Sequence, residues 1–263
     1  MMRLAFITLA AVVSCTFAEP NLDFLSDEYI EYLNSQDLPW TAGRNFEKDT
    51  PLSHILGLLN GVEITDPPSE LETVYHEDNG EELPKEFDAR KKWSKCGSIR
   101  EIRDQSGCGS CWAVSSASVM SDRVCIHSDQ RNQLRISAAD ILECCPSCSP
   151  PDGCIGGNPY AAFMEWTDSG FVSGGQYHSN IGCKPYPWPR CGMHCKKHYI
   201  APKCKKECDK GSQLKYEKDK HYGKKAYTIT SGDERQIQLE IIKNGPVVAT
   251  FTAYTDLITY KHG

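Results

Sequence analysis

Asp104-Gln105-Ser106-Gly107-Cys108-Gly109-Ser110-Cys111-Trp112-Ala113 is the stretch on which the rest of this chain turns. A glutamine, two cysteines and flexible glycines precede a run of small residues, Ala113 to Val124, that reads as a helix. A cysteine in the first turn of a helix sits at the positive end of the helix dipole, which favours thiolate over thiol. Gln105 carries a side-chain NH2 that can point where an oxyanion forms, beside the backbone N–H of Cys111. A nucleophile and two oxyanion donors are parts of an acyl-transfer site.

Cysteine usage agrees with this choice of nucleophile. Of 14 cysteines, Cys15 lies in an apolar N-terminal leader, and the other thirteen fall between Cys96 and Cys208. With Cys111 set aside twelve remain, an even number suited to six disulfides in an oxidising compartment.

Residues 1–18 read as a signal peptide. Arg3 is followed by an apolar run, Leu4 to Val13, and a small-x-small ending, Thr16-Phe17-Ala18. The run is shorter than the roughly 20 residues a membrane span needs, so the expectation is a secreted or lysosomal, digestive-lumen protein. No N-x-Ser/Thr sequon is present to direct glycan-dependent sorting.

Charge divides the remainder of the chain. Residues 19–82 carry sixteen acids and two bases, Arg44 and Lys48; residues 83–263 carry nineteen acids and twenty-six bases. This predicts an acidic propeptide, 19–82, held partly by charge to a basic body, 83–263, and loosened when acid protonates its carboxylates. Within the acidic part Ser26 caps a helix through Gln36, and Leu52, Ile55, Leu56, Leu58 and Leu59 form an apolar patch. Pro67 to Glu82, with few apolar anchors, reads as an exposed, cleavable linker.

The string Cys108-Gly-Ser-Cys111-Trp112 resembles the local signature of papain-like cysteine proteases. Trp40-Thr-Ala-Gly43-Arg-Asn45-Phe46, Leu83-Pro-Lys-Glu-Phe87-Asp88-Ala89-Arg90, Ser121-Asp-Arg-Val-Cys125, Val172-Ser-Gly-Gly175, Asp219-Lys-His221-Tyr-Gly223 and Lys243-Asn-Gly-Pro246 narrow the resemblance to the cathepsin B branch. It implies an α+β, two-lobed papain-like fold: a helical lobe carrying Cys111, a β-barrel-like lobe, and an N-terminal propeptide that inhibits the enzyme. It implies no cofactor, no metal, and a monomer acting on peptides and proteins. It also implies disulfides Cys96–Cys125, Cys108–Cys154, Cys144–Cys204, Cys145–Cys148, Cys183–Cys208 and Cys191–Cys195; spacing alone leaves the connectivity open.

Substrate-binding positions follow from the same resemblance. Trp112 lies beside the nucleophile, Gly156 and Gly157 let the backbone lie along bound peptide, and Pro159 walls a side-chain pocket. His194 stands where the family has a loop histidine that binds a substrate's C-terminal carboxylate. Only Gly192, Met193 and His194 separate Cys191 from Cys195, a shorter loop than the family's, so endopeptidase action is expected over exopeptidase action.

The general base is the difficulty. His262 lies 151 residues past Cys111, near the roughly 130 to 150 typical of the family. Yet Tyr260-Lys261-His262-Gly263 matches a variable turn ahead of the family's Gly-Gly-His-Ala segment. The expectation is therefore a fragment whose catalytic histidine and asparagine lie beyond Gly263. The alternative is a catalytically dead peptide-binding or decoy relative. His127 and His221 read as structural, and His178 as a surface loop residue. The cluster Cys191, His194, Cys195, His198, Cys204, Cys208 reads as disulfides rather than zinc ligands. Lys196 to Lys225 reads as a solvated basic face, with no nucleic-acid motif.

Four further elements complete the expectation. Ser137 to Asp140 resembles a capping box, and Pro159 suits a helix first turn ahead of Tyr160 to Trp166. Asp233 to Lys243 is helical by period with Ile237, Ile241 and Ile242 on one side, and Val247 to Tyr254 reads as a strand.

Overall fold

The computed structural model describes residues 23–59, 68–192, 195 and 197–263. The expected leader, part of the expected linker and His194 lie outside these residues. The chain separates into two compact units, one made of residues up to Lys48 together with Tyr254–Gly263, the other of Asp49–Ala253.

In the smaller unit, helix α1 (Asp27–Ser35) starts where Ser26 Oγ accepts from Tyr29 N at 3.0 Å. Asp27, in the first turn, pairs with Arg44 and Lys48, whose hydrogen bonds hold its carboxyl down at about 2. Strand β1 (Thr41–Ala42) is antiparallel to β4 (Tyr260–His262). Asn34 exchanges two hydrogen bonds with Ala42, and Asn45 Nδ2 donates to the carbonyls of Ile258 and Tyr260. Hence the Trp40–Phe46 stretch has a physical reading: it supplies strand β1, the Ala42 groups that Asn34 clamps, and the Asn45 clamp of this unit.

The larger unit holds α2 (Leu52–Leu59) and the one-turn α3 (Ala89–Lys92), and is built round helix α4 (Cys111–His127), longer at both ends than the expected Ala113 to Val124, with ten of its 17 residues buried. Ala113 and Ala117 let α5 (Ala138–Cys144) and α6 (Pro159–Asp168) approach, and Trp112, Met120, Ile136, Ile141, Phe171 and Tyr186 fill the space between. Full burial of each large apolar side chain contributes about 1.5–3 kcal/mol. Buried serines in α4 are satisfied by its own backbone: Ser116 Oγ donates to Trp112 O at 2.7 Å and Ser121 Oγ to Ala117 O at 2.6 Å.

Helix α5 begins with half of the expected capping box. Ser137 Oγ accepts from Asp140 N at 2.9 Å, but the Asp140 carboxylate turns away. It accepts instead from Val172 N at 3.1 Å and Tyr216 Oη at 2.7 Å, fully buried, so it ties α5 to two distant loops. Helix α6 carries Pro159 in its first turn behind an Asn158 cap. Among the described residues six disulfides are formed, Cys96–Cys125, Cys108–Cys154, Cys144–Cys204, Cys145–Cys148, Cys183–Cys208 and Cys191–Cys195, and Cys111 is free.

The strand content differs from expectation. Strand β2 (Thr73–Val74) pairs in parallel with β3 (Thr228–Ile229), and this ladder and β1–β4 are the sheets among the described residues. Val247 to Tyr254 is not a strand: no described edge offers it ladder partners, and Phe251 and Tyr254 stand exposed. The β-barrel-like lobe implied by resemblance is thus represented by short ladders.

Helix α7 (Glu234–Asn244) is present, but the expected isoleucine face is not the one that is buried. Its buried residues are Gln236 and Glu240. Glu240, fully buried, accepts from Tyr227 Oη at 2.6 Å, Asn244 Nδ2 at 2.8 Å and His76 Nε2 at 2.6 Å, and pairs with Arg123 Nη1 at 2.6 Å. Arg123 in turn donates to the carbonyls of Gly245 and Pro246, so one carboxylate joins α4, α7 and the turn after it. The Glu240 face is the buried one because four donors converge on that carboxylate, and turning it to solvent would leave those donors buried without a partner. Burial pushes the Glu240 carboxyl up, but the bonds from Tyr227 and Asn244 and the Arg123 charge bring it below its ordinary value. This contribution is complete above the ordinary carboxylate pKa and is lost as pH falls through the depressed one. Glu240→Gln is expected to lower unfolding free energy at neutral pH by about 3–5 kcal/mol, because it strands the Arg123 charge. Urea denaturation at neutral pH checks this; an unchanged midpoint would show that the carboxylate does not hold these elements together.

Candidate active site

The sequence around Cys111 builds its own scaffold. Ser110, the residue before α4, makes no side-chain cap; its Oγ instead meets Tyr186 Oη at 2.7 Å. Tyr186 Oη donates to Gln105 O at 2.8 Å, which leaves Ser110 Oγ as the donor to the phenol oxygen. Burial pushes the Tyr186 phenol far above its ordinary value, so it stays a neutral donor. The relay ties the backbone of Gln105 to the start of α4. Between them Gly107 admits no side chain: a Cβ there would lie 1.7 Å from Lys197 O, and its carbonyl accepts from Tyr199 N at 2.8 Å.

Cys111 is held from its other side by the 153–157 loop. The Cys108–Cys154 disulfide, a 2.8 Å bond from Gly109 N to Cys154 O, and a 3.0 Å bond from Trp112 Nε1 to Gly153 O pin that loop to α4. Gly157 lies flat on the Trp112 indole, where a Cβ would come within 2.3 Å of the ring. Gly157, expected with Gly156 to lie along bound peptide, thus meets a packing requirement that the sequence reading missed. Pro159 is buried and lines a cavity of about 400 Å³ with Tyr160, Phe163, Trp166 and Val247.

The Cys111 residue is exposed and its thiol is free. Burial of the sulfur's surroundings raises its pKa, and the hydrogen bonds of the Trp112 and Cys111 backbone N–H groups only partly offset this. The expectation that the helix N-terminus favours thiolate is corrected: the amides pull in that direction, but desolvation outweighs them. Among the described residues no histidine hydrogen-bonds this thiol. His262 stands in β4 opposite Thr41.

Gln105 is engaged by the acidic N-terminal part of the chain. Its Nε2 donates at 3.1 Å to the carbonyl of Leu58, next to the last residue of helix α2 (Leu52–Leu59). The final carbonyls of a helix lack intrahelical partners and carry the negative end of its dipole. An amide suited to an oxyanion thus meets a neutral group of the same polarity. Within α2 the leucine patch is only partly used: Ile55 and His54 are buried, while Leu52, Leu56 and Leu59 remain exposed.

His54 is the residue that sequence reasoning overlooked, since nothing in its spacing marks it. Its Nδ1 lies 3.0 Å from His198 Nε2, and its own Nε2 is buried with no partner. Burial lowers the His54 pKa, and the neighbouring His198 charge lowers it further. One proton can be shared between the facing nitrogens; two cannot. Asp78, by contrast, is held at about 2 by its bonds from Arg235, so mild acid does not discharge that carboxylate. The expected acid release through carboxylates is corrected at this position.

Two measurements test these assignments. Alkylation of Cys111 by iodoacetamide should increase with pH to a midpoint above the ordinary thiol value, and a midpoint below it would contradict the desolvated setting. A folded-state pKa depressed at His54 means stability that is present above about 6.5 and declines as pH falls. Protection factors in α2, from exchange rates corrected for their intrinsic pH dependence, should therefore fall on mild acidification, and His54→Phe should flatten the response. Equal pH dependence in both proteins would rule out the imidazole pair as its cause.

Comparison with known proteins bears on these same residues. Residues 83–263 match the papain family of cysteine proteases, and residues 25–62 match the peptidase family C1 propeptide. The chain is 41% identical over 251 residues to a cathepsin B-like cysteine proteinase of Schistosoma japonicum, covering 91% of this chain and 72% of that protein. It is 43% identical over 226 residues to cathepsin B-like cysteine proteinase 1 of Ostertagia ostertagi, covering 81% of this chain and 65% of that protein. Its fold is similar to that of proCathepsin B S9 from Trypanosoma congolense, with TM-score 0.76 and 37% identity over 90% of this chain and 76% of that one.

Proposed function

Because the chain belongs to the papain family of cysteine proteases and resembles its cathepsin B-like members, we propose that it is the zymogen of a cysteine endopeptidase with Cys111 as nucleophile. The observation that carries this reading is the Leu58 carbonyl on Gln105 Nε2, a carbonyl oxygen held on a proposed oxyanion donor beside the free thiol.

In the proposed reaction the Cys111 sulfur attacks the carbonyl carbon of a peptide bond, and the C=O electron pair moves to oxygen. That oxygen is stabilised by Gln105 Nε2–H and the Cys111 backbone N–H. Collapse breaks the C–N bond, the amine leaves with a proton, and water hydrolyses the thioester to free the sulfur. An imidazole must supply that proton; this sequence supplies the nucleophile and the two donors. Trp112, Gly156, Gly157 and Pro159 form the substrate side of the site, and His194, between Cys191 and Cys195 in the sequence, is the candidate for binding a substrate's C-terminal carboxylate. The short span from Cys191 to Cys195 favours endopeptidase over exopeptidase action. Acid removal of α2 from Gln105 is the activating step, in a secreted or lysosomal setting consistent with the apolar leader. Among the described residues no helix is long and apolar enough to cross a membrane.

A second reading, a non-catalytic peptide binder, is favoured by one observation: burial raises the Cys111 thiol, and no described histidine bonds it. The two separate on an internally quenched peptide after acid treatment. The enzyme reading expects cleavage that Cys111→Ser abolishes and Gln105→Ala slows by about 10²- to 10³-fold. Dipeptide release from C-termini should be the slower activity. Peptide binding without turnover would leave the second reading in place.

A further inference from the structure

The segment expected to be a free linker is gripped along its length. Thr228 N donates to Glu72 O at 3.0 Å, and β2 and β3 pair in parallel through Thr73–Val74 and Thr228–Ile229. Beyond this ladder, the Gln236 side chain acts as an extra piece of strand: its Oε1 accepts from His76 N at 2.6 Å, and its Nε2 donates to His76 O at 3.1 Å. A planar carboxamide matches both groups of one extended residue, so these contacts read backbone and not sequence.

Sequence is read by the next two contacts. The His76 imidazole donates at 2.6 Å into Glu240, a carboxylate with no solvent exposure, so the position demands a hydrogen-bond donor. Two residues on, Asp78 receives a fork from Arg235 Nε and Nη2, and Arg235 Nη2 also reaches Glu81 O at 2.7 Å. Bidentate guanidinium–carboxylate pairing is selective as well as strong. At the other end Lys225 pairs with Glu72 at 2.7 Å. Backbone pairing for affinity with side-chain sites for choice is the arrangement of strand-addition peptide sites.

We propose that β3 and the first half of α7 form a second peptide-binding site, which takes extended acidic peptides carrying histidine two residues before aspartate. Residues 72–81 are its resident ligand, bound in cis, and the same segment binds in trans once cut free. The site needs neither Cys111 nor a working active site, so it stands or falls separately from the protease reading. Its groups belong to the body of the enzyme: Lys225, Thr228, Arg235, Gln236 and Glu240 all remain when the acidic segment departs. Peptides that lack the histidine leave Glu240 short of a donor, and those that lack the aspartate leave Arg235 unpaired.

The test uses the full chain with charge reversals at the Arg235–Asp78 pair, which lies near the surface and outside the core. Arg235→Asp and Asp78→Arg should each accelerate hydrogen exchange of the amides at 73–78 by about tenfold, and the double reversal should restore protection. Single reversals without effect, or a double reversal without rescue, would overturn the cis contact. A fluorescein-labelled peptide of residues 69–82 is then added to the Asp78→Arg chain, whose own segment is loosened. Saturable binding is expected, with the wild-type chain binding at least about tenfold more weakly because its site is filled. Replacing His76 by Ala in the peptide should weaken binding about five- to tenfold, the loss of one charge-assisted hydrogen bond. A scrambled peptide of equal composition binding as well, or no binding to the loosened chain, would overturn the site.

Discussion

Everything at the proposed site depends on how the first turn of α4 is seated. Trp112 enters the core with its indole face on Gly157 and its Nε1 on Gly153 O, while the Cys108–Cys154 disulfide closes the same loop from the preceding turn. A glycine that cannot gain a methyl, an indole that cannot tilt, and a covalent link between them leave Cys111 one position to occupy. The Ser110–Tyr186–Gln105 relay extends that constraint to the second donor, so nucleophile and amide are set by one rigid unit. Preorganisation of this kind is what electrostatic stabilisation of an oxyanion requires.

The contacts of the acidic segment separate two tasks. Helix α2 carries no charged residue apart from its histidine, so its place at Gln105 rests on Ile55, on a helix-end carbonyl and on an imidazole contact that acid disfavours. The charge asymmetry between the acidic and basic parts of the chain is expressed further on, at Glu72–Lys225 and Asp78–Arg235. The Asp78–Arg235 pair survives mild acid, because the Asp78 carboxyl sits at about 2. On the proposed acid release, the α2 contact would respond before the Asp78–Arg235 tether, and an opened site would still carry its own segment nearby.

Features confined to a few neighbouring residues were legible before any fold was known. The Ser26 cap, the Ser137 cap, the Pro159 helix start and the cysteine left over after pairing all reside in short stretches where local geometry decides the outcome. Readings that needed a partner from elsewhere fared differently. Val247 to Tyr254 has strand composition but no described edge to pair with, and strand propensity without a ladder does not make a strand. Helix α7 was legible as a helix, yet its buried face is chosen by Arg123, Tyr227 and His76 from three other parts of the chain.

The amino-acid sequence by itself determined the family, and it singled out Cys111, its helix and the Gln105 amide as the proposed nucleophile and oxyanion donor, because a thiol protease motif compresses that chemistry into ten consecutive residues. Only the tertiary structure decided the desolvation that pushes the thiol pKa up and what meets the Gln105 amide. It also brought His54 to His198 and His76 to Glu240, pairs 144 and 164 residues apart. The reason is physical: hydrogen bonding within a turn depends on neighbours along the chain, whereas desolvation and long-range pairing depend on which groups folding packs around a site.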